Sequence, residues 1–354
     1  LKKNSNIIAW DENKKIRDLI KKRFSKISIK NLKKINWKKI YLIIVSPGIS
    51  LNHYLLKTPK KFNIPIYRDL EIFSQNVSNN KVIAVTGTNG KSTTVSLLGH
   101  LIKKFNKNIF VGGNIKPPLL DAIRNISYKK YIIELSSYQL ESAPSFNSQI
   151  SILLNIHEDH TDRYKSFKDY VFTKKKIFNK KLSNQFSIIG LDDNNCKKIY
   201  KAMCLNDIKI IGISTERKVN KGISLINKII VDNYFHNKKL SLKNVKLNIE
   251  LNQNKQNILI AYTVSKILDL NSNEFVETIS SFKGLKHRSE IIFKNNNLTV
   301  VNNSKATNLS STIHSVQNYK NIHLIMGGRL KHRNFSKLFS LKNRIKKIYL
   351  IGES

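Results

Sequence analysis

The chain has 354 residues, 40% hydrophobic and 9% aromatic, enough apolar surface to offset the entropy of ordering two or three domains, which excludes a disordered chain. Lys plus Arg (63) exceed Asp plus Glu (23) for a formal charge of +40, but the lysines are scattered in twos and threes (Lys21-Lys22, Lys103-Lys104, Lys346-Lys347). They read as solvated faces and argue against a nucleic-acid partner. No apolar run reaches the ~20 residues that span a bilayer. The two cysteines, Cys196 and Cys204, build neither a disulfide framework nor a metal set, so a reducing compartment is expected.

NIIAW (6–10) and YLIIVS (41–46) are continuous and β-branched, the pattern of buried parallel strands. The second runs into Pro47-Gly48, a turn at a strand's carboxyl end, where open α/β sheets place ligands. IPIYRDLEIF (64–73) reads as a strand turning into a helix. A nucleotide-binding domain of this kind normally opens with a strand and a glycine-rich turn ahead of NIIAW. None precedes it, so the chain is expected to begin inside its first domain, and residues 1–30 read as no export signal.

VIAVTGTNGKSTTVSLLGHLI (82–102) joins an apolar strand, a glycine-bearing loop, Lys-Ser-Thr and an amphipathic helix. Backbone N–H groups at a helix N-terminus face a phosphate, and the helix dipole favours its charge. Gly87, Thr88, Asn89 and Gly90 form the loop, Lys91 reaches the β/γ-phosphates, Ser92 ligates Mg²⁺, and Thr93 follows. The strict P-loop pattern places glycine where Val85 stands, so GTNGKST is a shorter variant.

YIIELSSYQLE (131–141) is a strand delivering Glu134, then Ser136, Ser137 and Gln139; ISILLNI (150–156) is another, ending in HEDHTDRY (157–164). A carboxylate and a His/Asp cluster thus come to strand ends beside the phosphate loop, where Mg²⁺ and substrate sit in such sheets. Spacing leaves His157 and His160 as equal metal-ligand candidates.

GTNGKST, GGNI (112–115), ELSSYQLE (134–141), NIHEDHTDRY (155–164), GLKHRSE (284–290), NNSKATN (302–308) and MGGRLKHRNF (326–335) together resemble the Mur ligase family, in its D-glutamate-adding branch. The resemblance implies a three-domain α/β architecture. Residues 1–78 would be a partial Rossmann-like UDP-substrate domain, 79–285 a central ATP-binding domain with a mostly parallel sheet, and 286–354 a partial Rossmann-like domain for the amino acid. It implies ATP-dependent ligation of D-glutamate to UDP-N-acetylmuramoyl-L-alanine through an acyl phosphate, by a cytoplasmic bacterial monomer. A sibling ligase sharing the ATP site, or a basic nucleic-acid binder, would be the alternatives.

Carried over residue by residue, the resemblance puts Lys91 on the γ-phosphate, Ser92 and Glu134 on one Mg²⁺, and His160 on a second. It makes Lys174, four residues after Tyr170, a carbamylated lysine. Asn254 and Asn257 fall near the adenine and Arg288 on the phosphates, while Asn303 stands where an aspartate near the ribose is usual. Ser46, Pro47, Gly48, Asn114, Ser136 and Gln139 would contact the muramoyl substrate. Lys305, Thr307 and Lys331 would hold D-glutamate. Gln253 replaces a histidine, and Arg329 and Asn334 replace acidic residues. The chain ends on the strand Ile348 to Ile351, where further βα units are expected to follow.

Overall fold

A computed structural model describes residues 6–124, 127–159, 164–178, 184–205, 209–235, 238–306, 309–328 and 335–353. The chain divides into two compact units, Leu1–Asp69 and Leu70–Ser354.

The first unit holds β1 (Ile7–Ala9), α1 (Lys14–Arg23), β2 (Ile27–Ile29), β3 (Ile43–Ile44), α2 (Lys57–Lys61) and β4 (Ile66–Tyr67). β1 pairs with β2 and β3 with β4, both in parallel. The expected strands exist and are parallel, but YLIIVS yields only Ile43–Ile44, and Ile7 is exposed rather than buried. Strand pairs this small have no covered second face, and a buried strand needs one.

The second unit begins with α3 (Asp69–Asn76), then β5 (Val82–Thr86), α4 (Lys91–Phe105), β6 (Ile109–Gly113), β7 (Lys130–Glu134), α5 (Ser137–Leu140) and β8 (Ile150–Leu153). It continues through α6 (Phe167–Lys175), β9 (Phe186–Gly190), α7 (Asn194–Cys204), β10 (Lys209–Ser214), β11 (Gly222–Ile226), β12 (Ile229–Asp232) and β13 (Lys238–Ser241). α8 (Leu251–Ile267), α9 (Ser272–Ser281), β14 (Glu290–Lys294), β15 (Thr299–Asn302), α10 (Leu309–Val316), β16 (Ile322–Gly327), α11 (Ser336–Phe339) and β17 (Ile345–Ile351) complete it.

Nine strands form one sheet in the order β13-β12-β11-β10-β9-β8-β5-β7-β6. From β6 to β11 all neighbours are parallel; β12 and β13 close the far edge antiparallel. Successive residues of a strand face opposite sides, and here both sides are covered. Ile83 and Val85 of β5 join a core cluster with α4, α8 and α9, while Val82 and Ala84 join another with α3, α6 and α7. Two covered faces explain why VIAVT is an unbroken apolar run. β5 is where the sheet reverses, since the chain leaves it for β6 on one side and returns to its other side as β8. Ligands bind at such a switch point, beyond the carboxyl ends of the strands.

Candidate active site

The phosphate loop occupies that position. β5 ends at Thr86, residues 87–90 turn, and α4 starts at Lys91. Gly90 caps the helix with φ +83°, a left-handed backbone that glycine adopts without the strain a side chain would add. Among the described residues the loop is anchored to the exit of β8. The Thr88 N–H donates to the Asn155 carbonyl at 2.9 Å, and the Asn89 N–H to Asn155 Oδ1 at 2.8 Å.

Two lysines converge on one loop carbonyl. Lys91 Nζ donates to the Gly87 oxygen at 2.9 Å and to the Thr88 oxygen at 2.8 Å; Lys174 Nζ donates to the same Gly87 oxygen at 2.8 Å. Lys174 comes from α6, is 2% exposed and lies 4.8 Å from the centre of the Tyr170 ring. The Tyr170 hydroxyl in turn shares a 3.1 Å hydrogen bond with Thr88 Oγ1. Burial holds Lys174 well below the ordinary lysine value and the Lys91 charge adds to the shift, against weaker opposition from Asp159, Cys196 and Glu134. Burial also lowers Lys91, opposed by Glu134 and Asp159 and reinforced by Arg288. Of the run Lys174-Lys175-Lys176, only Lys174 is buried. A neutral, buried amine is the form that can add CO₂.

Glu134, 2% exposed at the end of β7, accepts from Asn114 Nδ2 at 2.9 Å through Oε1, while its Oε2 is buried with no hydrogen-bond partner among the described residues. A bare buried carboxylate oxygen is costly, and a hard cation is the group that would satisfy it. Ser92, 5% exposed in the first turn of α4, is held by a 3.1 Å bond from Arg288 Nη2 to its Oγ. The residues present therefore fit a Mg²⁺ site, although no group of three or more His, Cys, Asp or Glu converges among the described residues. His160 lies outside the described residues; His157 is exposed and donates its backbone N–H to Thr88 Oγ1.

Arg288 sits between His287 and Ser289, both in left-handed backbone at φ 66° and 48°. Such strain clusters at functional sites. It is held by the His287 N–H donating to Glu290 Oε2 at 2.7 Å and the Ser289 N–H donating to Asn303 Oδ1 at 3.2 Å. Asn303 thus shapes the Arg288 turn with its neutral oxygen. Asn257 Oδ1 accepts from Thr94 Oγ1 at 2.9 Å, and its Nδ2 donates to Asn254 Oδ1 at 2.9 Å, tying the start of α8 to α4. Asn89, Gly90, Thr93, Asn254, Asn257 and Arg288 line one cleft of about 530 Å³.

Ser136 and Gln139 form a capping box on α5, each side chain bonded to the other's backbone. Lys305 is exposed, and Thr307 and Lys331 lie outside the described residues, as do Arg329 and Asn334. In the first unit, Ser46, Pro47 and Gly48 follow β3, and the Pro47 and Ile49 carbonyls both accept from the fully buried Arg68 guanidinium, Ile49 at 2.9 Å. Three further residues gain a role only in the fold: Arg68, Asn155 and Gln256. Arg68 sat inside a segment read only as strand and helix, and the two amides meet their partners across long chain separations.

The Mur ligase middle domain matches residues 85–265. The chain is 36% identical to the UDP-N-acetylmuramoylalanine–D-glutamate ligase of Rickettsia prowazekii (strain Madrid E), across 100% of this chain and 78% of that protein. It is 34% identical to the enzyme of the same name from Wolbachia pipientis wMel, across 100% and 79%. Among solved structures, it resembles UDP-N-acetylmuramate-alanine ligase MurC from Thermotoga maritima with a TM-score of 0.57 and 19% identity, over 97% of this chain and 78% of that one. MurF ligase from Thermotoga maritima in complex with ADP matches with a TM-score of 0.56 and 16% identity, over 91% and 85%.

Proposed function

The chain belongs to the Mur ligase family, in the branch of the UDP-N-acetylmuramoylalanine–D-glutamate ligases, and from that premise we propose that it joins D-glutamate to UDP-N-acetylmuramoyl-L-alanine at the expense of ATP, in the synthesis of peptidoglycan precursors. The observation that carries this reading is the phosphate loop at the switch point of the parallel sheet, with Lys91, Arg288 and the bare Glu134 oxygen gathered beside it.

A carboxylate is a poor electrophile. Transfer of the γ-phosphoryl group to the alanine carboxylate creates a leaving group; the amine of D-glutamate then attacks the carbonyl carbon, and phosphate departs with the bridging oxygen. Lys91 and Arg288 neutralise charge on the phosphoryl oxygens as they move, and the first N–H groups of α4 receive the phosphates. Ser92, Glu134 and a carbamylated Lys174, with His160, would hold two Mg²⁺ ions, which when bound neutralise the crowded oxygens. Carbamylation joins the neutral Lys174 amine to CO₂ with loss of one proton. Crowding of Lys91 and Lys174 on one carbonyl favours the change, because a second ammonium is disfavoured beside Lys91 and an anion is not.

Asn254 and Asn257 would flank the adenine and Asn303 the ribose. Asn114, Ser136, Gln139, Ser46, Pro47 and Gly48 are assigned to the muramoyl nucleotide, and Lys305, Thr307 and Lys331 to D-glutamate. The last helix covering the nine-stranded sheet ends at Ser281, which supports a domain division at 285, while α3 packs on that sheet and lies with the second unit from Leu70 onward. ATP with a UDP-linked substrate supports a cytoplasmic reaction. No helix among the described residues is long and apolar enough to cross a membrane.

The test is ADP release with UDP-N-acetylmuramoyl-L-alanine and a panel of amino acids. D-Glutamate should support turnover at least ~10²-fold above glycine or L-alanine, because a neutral acceptor leaves cations of the site unpaired. Equal turnover across the panel would contradict the assignment.

A further inference from the structure

We propose that Asn155, braced by Gln256, is a positioning residue that fixes the phosphate loop in its ATP-binding shape through the backbone of Thr88 and Asn89. The proposal rests on the reading of residues 87–92 as the phosphate loop. Asn155 follows β8 and meets the loop with both its backbone and its side chain. Its carbonyl accepts the Thr88 N–H, its Oδ1 accepts the Asn89 N–H at 2.8 Å, and its Nδ2 donates back to the Asn89 carbonyl at 3.2 Å. One carboxamide therefore satisfies both backbone groups of Asn89. The second Nδ2 hydrogen goes to Gln256 Oε1 at 3.0 Å, and Gln256 Nε2 donates to the Leu154 carbonyl at 2.8 Å.

The chemistry of the two ends fixes the direction of this chain. It starts at a backbone N–H, which only donates, and finishes at a backbone carbonyl, which only accepts, so neither amide can flip without losing its bonds. With both Nδ2 hydrogens used, Asn155 has no donor left for a phosphate. Thr88 and Asn89 have likewise spent their N–H groups on Asn155, so the phosphate-binding donors are those of the first turn of α4, whose direction the pinned loop sets. A second feature shows that the brace is accommodated. Gly190 of β9 lies where any Cβ would collide with the Gln256 amide nitrogen and the Leu154 carbonyl oxygen.

A loosened loop must be ordered by ATP itself. That cost falls on binding and not on the chemical step, so KM for ATP should rise while kcat is kept. In the full chain, Asn155→Leu should raise KM for ATP ~10–100-fold, the range for stranding hydrogen-bonding groups, with kcat and the KM for the muramoyl nucleotide within ~3-fold of the parent. Gln256→Leu should raise KM for ATP by less, and the double variant should be no worse than Asn155→Leu, because both act on one chain of bonds. If Asn155→Leu does not fold, Gln256→Leu carries the same split. A KM for ATP within twofold of the parent in the folded variants, or a loss shared equally by all three substrates, would overturn the proposal. Lys91→Ala, run alongside, separates the two ideas: full activity there would overturn the phosphate-loop reading itself.

Discussion

β5 and β17 are both apolar runs in sequence, and the fold treats them in opposite ways. Every residue of VIAVT in β5 is buried between β7 and β8, with a core cluster on each face. In β17, Leu350 is 64% and Ile351 60% exposed, and its one strand partner among the described residues is β16. Apolar sequence gives a strand the capacity to be buried; neighbours on both sides and both faces decide whether it is. The consequence for function is positional. Lys91 follows β5 and Glu134 ends β7, both strands clamped within the sheet, so packing fixes where the phosphate chemistry can occur. Lys305, assigned to D-glutamate, is exposed on the segment that follows β15.

If that contrast is right, the largest effect on activity belongs to the buried centre. Lys91→Ala should lower ligation ~10²–10³-fold, the usual cost of removing one preorganised charge donor; retention of more than a tenth of the activity would break the assignment. On stability, Ile83→Ala in β5 should cost ~2–5 kcal/mol, since it leaves a cavity in a closed core. Leu350→Ala in β17 should change stability by ~0.5 kcal/mol or less. Chemical denaturation of both variants measures the difference, and equal losses would remove the distinction between the two strands.

A subtler effect sharpens the same contrast. With its amine free of CO₂, Lys174 is depressed by burial, so the folded chain binds that proton less tightly than the unfolded chain. Between the depressed value and the ordinary lysine value, the unfolded state carries more protons, and stability rises with pH. Lys174→Met removes this dependence, so its melting temperature should climb less steeply from neutral to alkaline pH than that of the parent; parallel curves would contradict it. Lys174→Ala should also lose activity and regain part of it with added acetate or propionate, as a free carboxylate replaces the carbamate. Full activity without them would end the carbamate assignment.

Local chemistry was legible in the sequence wherever it was contiguous. Strand, glycine loop, lysine and helix lie within 82–102, and Glu134 ends an apolar run that became β7. Lys174 was legible only through family spacing, because a lysine run carries no mark of which member is buried. Arg68 and the Asn155–Gln256 chain were missed for a physical reason: a buried guanidinium and paired amides gain their meaning from distant carbonyls, which only the fold brings near. The two-stranded pieces of the first unit are less deeply buried than their apolar runs suggest, since such a run does not reveal whether its second face is covered.

Central to the account is that ATP activates the alanine carboxylate as an acyl phosphate at the Lys91 loop. The most direct measurement is the fate of oxygen. With UDP-N-acetylmuramoyl-L-alanine labelled with ¹⁸O in the alanine carboxylate, D-glutamate and ATP, the phosphate released should carry one ¹⁸O atom per amide bond formed, because the bridging oxygen leaves with phosphorus. Released phosphate free of the label, with amide bonds formed in equal number, would contradict it.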